Sequence, residues 1–215
     1  MKNIRNLFIL TLAFLATACE DLKIQKPYNF VPEKFDEVSF EDQTMWEFLQ
    51  TQKTPAGAAT LDNFKLDMMI EAIEYTGLVE EYNRPGDART FLLLNNSAFT
   101  GSGQIKAALS GKTTTAVTAL DKARLTNLLK YHIIESVVYQ VPTLEVFLTD
   151  YFFQSLIPGE EGKVSMSRNE RYSISVNGST ALPVTKKSVT VRTHNLRVKN
   201  GVAHITNGYA RYKPF

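Results

Sequence analysis

Near residue 135 the spacing of apolar side chains changes from a helical period to the alternation of extended strands. Before that point apolar residues recur at intervals of three and four; after it they alternate with polar ones. Regular strand–helix alternation, the mark of a parallel α/β sheet, is therefore absent, and so is an all-helical or all-β pattern. The expected class is α+β, with helices leading and an antiparallel sheet following. At 215 residues the length suits one domain with short appendages. No internal repeat is visible, which excludes a solenoid or propeller.

The helical half resolves into elements. Residues 44–49 form a short helix carrying Met45, Trp46, Phe48 and Leu49. Leu66, Met69, Ile70 and Ile73 fall at i, i+3, i+4 and i+7, one face of a second helix. Gly77 stands where a left-handed residue closes that helix, and Leu78 can pack back on Ile73. Asp121 caps a third helix through Leu125, Leu128, Leu129, His132 and Ile133. Between them Thr90-Phe91-Leu92-Leu93-Leu94 is too short for a buried helix and reads as a strand buried on both faces.

The second half reads as strands. Ile174 and Val176 alternate with serines up to Asn177-Gly178, and Val189 and Val191 alternate with polar neighbours. Asn200-Gly201 predicts a type I′ hairpin turn, since both turn positions need residues tolerant of positive φ. A loop of those two residues pairs Val198 with Ala203, Arg197 with His204 and Leu196 with Ile205. Asn95-Asn96-Ser97 and Asn177-Gly178-Ser179 match the N-glycosylation pattern, but a strand-to-helix turn and a hairpin account for them.

The front of the chain reads as an address. Lys2 and Arg5 precede a short apolar core over residues 7–15, and Ala16-Thr17-Ala18 leads to Cys19, the one cysteine. This is the layout of a signal peptide rather than a membrane anchor, and no 20-residue apolar run exists elsewhere. A single cysteine excludes a disulfide framework and a cysteine-based zinc cluster. The expected organisation is a signal peptide over 1–18, a lipidated N-terminus and tether over 19–43, and the domain over 44–215. Loss of Lys2 and Arg5 leaves 22 basic against 22 acidic residues. A neutral chain lacks the basic surplus of a general nucleic-acid binder.

These elements, in this order, resemble the fasciclin (FAS1) domain family, a likeness that implies N-terminal helices packed on an antiparallel β-wedge or sandwich. Ala72-Ile73-Glu74-Tyr75-Thr76-Gly77-Leu78 is similar to its opening helix end. Thr90-Phe91-Leu92-Leu93-Leu94-Asn95-Asn96-Ser97-Ala98-Phe99 resembles its first signature, with Asn95 where Thr is usual. Leu125 to Ile134 resembles the central helix ending in a Tyr-His pair, here Tyr131-His132. Asn200-Gly201-Val202-Ala203-His204-Ile205 resembles the closing signature. The stretch 141–167 departs from the family pattern. The cysteine-terminated signal resembles that of Bacteroidetes-type lipoproteins, and Glu20-Asp21 resembles their surface-sorting signal. That likeness implies lipidation at Cys19, a membrane held through the lipid, and an outer-membrane, cell-surface location, with a periplasm-facing one as the alternative.

Little in the chain suggests chemistry. His132, His194 and His204 lack metal-ligand spacing, so no metal or cofactor is expected. Ser97 lacks a nucleophile elbow, and Gly101-Ser102-Gly103 is not followed by a phosphate-loop lysine. His132 lies on the apolar stripe of its helix and reads as a core residue, whereas the family resemblance implies that Tyr131 and His132 contribute to binding. Tyr151, Phe152 and Phe153 form either a glycan-stacking platform or a section of the core. The expected function is a non-catalytic adhesion or ligand-binding module for an extracellular protein or glycan. The alternatives are an accessory lipoprotein of a glycan-uptake system and an exported hydrolase with an unrecognised site.

Overall fold

The computed structural model describes residues 39–86 and 88–213. The signal and Cys19 lie outside them. Strand β1 (Ser39–Phe40) leads to helix α1 (Met45–Thr51). The Thr44 hydroxyl accepts from the Glu47 N–H at 3.3 Å, and the Glu47 carboxylate accepts from the Thr44 N–H at 2.7 Å. This reciprocal capping box satisfies two donors that the first turn otherwise leaves orphaned. Helix α2 (Asp67–Thr76) ends at Gly77, whose φ of 76° lets Leu78 donate to the Ile73 carbonyl at 3.0 Å. Short helices α3 (Val79–Asn83), α4 (Asn96–Phe99) and α5 (Ile105–Ser110) follow, with strand β2 (Arg89–Leu94) before α4. Helix α6 (Lys122–Tyr131) starts at Asp121, whose carboxylate accepts from the Arg124 N–H at 2.9 Å.

Six further strands complete the chain: β3 (Ile133–Ile134), β4 (Tyr151–Gln154), β5 (Lys163–Arg168), β6 (Ile174–Val176), β7 (Val189–Val198) and β8 (Gly201–Thr206). The sheet order is β3-β2-β8-β7-β6-β5-β4, with β1 alongside β7. Its pairs are antiparallel except β2 with β8 and β1 with β7. A bridge between Ile134 and Ser155, with the Glu135 N–H donating to the Gln154 carbonyl at 2.9 Å, returns the last strand to the first. The result is a nearly closed barrel with helices on one side, and the α+β expectation holds.

Strand β2 explains its own composition. Phe91, Leu93 and Leu94 pack into a core shared with α1, α2 and α6, while Leu92 points into a second core inside the barrel. Both faces are buried, so polar alternation has no place in it. Each such side chain contributes roughly 1.5–3 kcal/mol through burial.

Three expectations need correction. The domain framework begins before residue 44, because Ser39 and Phe40 pair with Arg197 and Val198 and the Gln43 carbonyl accepts from the Lys199 N–H. The closing hairpin pairs Val198 with Gly201, Arg197 with Val202 and Leu196 with Ala203, a slip of two residues from the expected register. Lys199 and Asn200 form the loop instead. Asn200 is consumed in tertiary bonds, donating to Tyr82 and Arg84 carbonyls and accepting from the Met45 N–H. Gly201 lies so close to β2 that an added Cβ would sit 2.0 Å from the Arg89 oxygen. An even slip keeps every side chain on its intended face, so the alternation could not detect it. Finally, Asn177-Gly178 is no hairpin turn: β6 pairs with β7 across the long connection 177–188.

Candidate binding site

The Tyr-His pair at the end of α6 is buried. His132 is 1% exposed. Its Nε2 accepts from the Ala210 N–H at 3.1 Å, which leaves the ring proton on Nδ1 to donate to the Leu128 carbonyl at 2.8 Å. Burial holds its pKa down at about 4, against a weaker opposing pull from that carbonyl. The Tyr131 hydroxyl donates to the Lys163 carbonyl at 2.7 Å and accepts from Asn177 Nδ2 at 2.9 Å. Burial raises its pKa well above the ordinary value. Tyr131 thus ties α6 to β5, and His132 ties it to the C-terminal segment around Ala210.

His204 behaves like His132. Its Nε2 lies 2.8 Å from the Val138 carbonyl and its Nδ1 accepts from the Asn195 N–H at 3.3 Å. Burial again lowers the pKa to about 4. His194 is exposed and touches the Gln140 amide at 3.1 Å. Among the described residues no group of three or more His, Cys, Asp or Glu is placed to hold a metal. Ser97 donates to the Asn63 carbonyl at 3.2 Å, beside a turn in which Asn95 caps α4. Tyr151 and Phe153 pack against the barrel core while Phe152 faces outward, because alternate strand residues take opposite faces. The three rings therefore do not form one platform.

The clamped elements enclose a groove of about 490 Å³. Leu128, Ile157, Pro158 and Ala210 supply apolar lining, and Tyr131 and Tyr212 supply rings. Arg124, Arg211 and Lys213 bring positive charge and Asn127 an amide, with Glu161 paired to Lys213. Lys187 lies beside this region with its ammonium 3.9 Å from the Tyr209 ring centroid. Partial burial and then the nearby Arg211 charge lower its pKa, a sign of crowded cations. Such a mix of apolar floor, rings and a few charges suits recognition of a ligand segment that carries both apolar and polar groups. Sequence reasoning missed this groove because its residues come from α6, the 157–161 loop and the C-terminal segment. One face of it was legible: Arg124, Asn127 and Tyr131 fall at i, i+3 and i+7, beside the apolar stripe of the helix.

A nearly closed barrel with helices on one side and a groove lined by α6 and the C-terminal segment forms a small α+β module. The chain belongs to the fasciclin domain family, whose model matches residues 64–208. Among solved structures, a FAS1 domain pair from the insect cell adhesion molecule Fasciclin I superposes with a TM-score of 0.56 at 10% identity. That match covers 79% of this chain and 51% of the other, so the chain spans about half the length of its structural relative. Such low identity carries the fold alone. Comparison with curated proteins finds no match. Among the described residues no helix is long and apolar enough to cross a membrane.

Proposed function

We propose that the protein is a non-catalytic binding module held on the outer membrane by a lipid on Cys19 and displayed at the cell surface. The observation that carries the binding role is the groove between α6 and the C-terminal segment, in a domain whose family includes a cell adhesion molecule. Its ligand is an extracellular protein or glycan that reaches Tyr212, Asn127, Arg124 and Arg211. Tyr131 and His132 serve binding by holding the groove walls in register from beneath. Cys19 follows a signal-like leader, and Glu20-Asp21 favours surface display.

The test is a screen of the mature chain against glycan arrays and matrix proteins, repeated with Tyr212→Ala and Arg124→Ala. A ligand whose binding survives both substitutions would place recognition elsewhere and sink the groove assignment.

A further inference from the structure

Nine large apolar side chains are exposed among the described residues, and five of them gather at one end of the barrel: Val141, Val146, Phe147, Leu148 and Tyr172. Leu148 is 72% exposed. Arg168 knits the group together. Its guanidinium donates to the Leu144 and Glu145 carbonyls and lies 4.9 Å from the Tyr172 ring centroid. Its carbonyl accepts from the Leu148 N–H at 2.8 Å. The Gln140 side chain donates to the Tyr172 carbonyl, and the Gln140 N–H donates to Asn195 Oδ1 at 2.9 Å.

The backbone is strained in the same place. Leu148, Tyr172 and Asn195, with φ of 56°, 61° and 60°, are three of the four non-glycine residues in the left-handed region among the described residues. Bulky side chains avoid that region, and such strain tends to persist where it serves a function. Here it accompanies a leucine turned toward water. Folding alone gives no reason to keep it there.

The occupant follows from where the chain enters. β1 runs parallel to β7 with Ser39 opposite Arg197, two positions along that strand from Asn195. Asn195 is bonded to Gln140 and Gln140 to Tyr172, which puts the entry point at the apolar end. Nineteen residues, 20–38, separate Cys19 from Ser39 and span at most ~65 Å. The flanking charges are mixed, with Glu145, Asp150 and Glu170 near Arg168 and Arg171. Attraction to anionic headgroups is therefore not the driving term. The five side chains expose roughly 500 Å², and they lie beside the strand that leads back toward the proposed lipid. Loop tips carrying Phe, Leu and Tyr match an interfacial membrane contact.

We propose that Val146, Phe147 and Leu148, backed by Val141 and Tyr172, seat the domain in the headgroup–acyl boundary of the bilayer that holds its lipid. This rests on the anchor proposed above. Seated so, the domain lies against the membrane instead of hanging free on its tether.

The test uses the mature chain carrying Phe147→Trp, mixed with phosphatidylcholine vesicles whose acyl chains are brominated. The lipidated protein should lose reporter emission relative to ordinary vesicles, while wild-type Trp46 emission stays constant. Adding Leu148→Asp should restore the emission without lowering the melting temperature. A lipidated protein that floats with vesicles yet keeps its reporter emission would overturn the seat and leave the anchor standing. A chain that takes up no fatty-acid label, yet binds vesicles and is quenched, would support the seat and remove the anchor. Reporter burial that needs no vesicles and doubles the sedimenting mass would reassign the patch to self-association and overturn the proposal.

Discussion

His132 and His204 are each used as a neutral cross-link, one ring nitrogen donating and the other accepting. His132→Ala removes packing volume and leaves the buried Ala210 N–H and Leu128 carbonyl without their partner. Each effect costs on the order of 1–3 kcal/mol. For a domain of this size that lowers the melting temperature by roughly 5–15 °C. Calorimetry should show the drop, with any loss of binding following the unfolded fraction. A stable but non-binding variant would instead make His132 a contact residue. Acidity probes the same rings. Both pKa values fall from 6.5 to about 4 on folding, so between those limits the unfolded chain binds more protons than the native one. Stability then rises with pH, and is lost as pH falls from about 6.5 toward 4, by up to ~1.4 kcal/mol per unit for each ring. Urea midpoints at pH 7.5, 6 and 5 should fall in that order. His204→Gln should flatten the trend; an unchanged slope would mean that the buried ring does not resist protonation.

At the scale of elements, the junction between β2 and β8 concentrates risk. Gly201 has no room for a methyl group against the Arg89 carbonyl, so Gly201→Ala must push these buried strands away from each other. Overpacking of this kind costs about 1–3 kcal/mol or more. Asn200→Ala leaves the Met45 N–H and the Tyr82 carbonyl unsatisfied inside the domain, at about 1–3 kcal/mol for each group. Denaturant titration should find both variants destabilised, with Asn200→Asp failing to rescue because its carboxylate cannot donate to two carbonyls. A neutral Gly201→Ala would show that the strands can separate freely there. Thr44→Ala removes a hydroxyl that both caps α1 and donates to Asn83 Oδ1 at 2.9 Å, and should cost about 1–2 kcal/mol.

For the whole molecule, the proposed anchor and the proposed binding groove rest on different residues. Cys19→Ala should abolish fatty-acid labelling and move the protein out of the membrane fraction, while leaving the melting temperature of the domain unchanged. Labelling that persists in this variant would put the lipid elsewhere. Shaving intact cells with protease should remove the domain if it faces outward; an untouched domain would favour the periplasm-facing alternative. The residues proposed to carry the address lie outside the folded domain, so each experiment should move address or stability without the other.

Local order in this protein was readable along the chain. The periods of Leu66, Met69, Ile70 and Ile73 and of Leu125, Leu128 and Leu129, the caps at Asp121 and Gly77, and the doubly buried run at Phe91–Leu94 follow from rules acting over a few residues. The burial of His132 was legible too, because its spacing puts it on an apolar stripe. The remaining features depend on residues far from one another in the chain. The hairpin register turned on Asn200 reaching Met45 and on Gly201 meeting Arg89, contacts that an alternating pattern does not encode. Likewise Tyr151-Phe152-Phe153 divided between core and solvent only once β5 lay beside it. The groove needed α6, the 157–161 loop and the C-terminal segment to converge, and the apolar end needed Arg168 to gather the loops around it. Local rules set which face each side chain takes; long-range closure sets what that face meets.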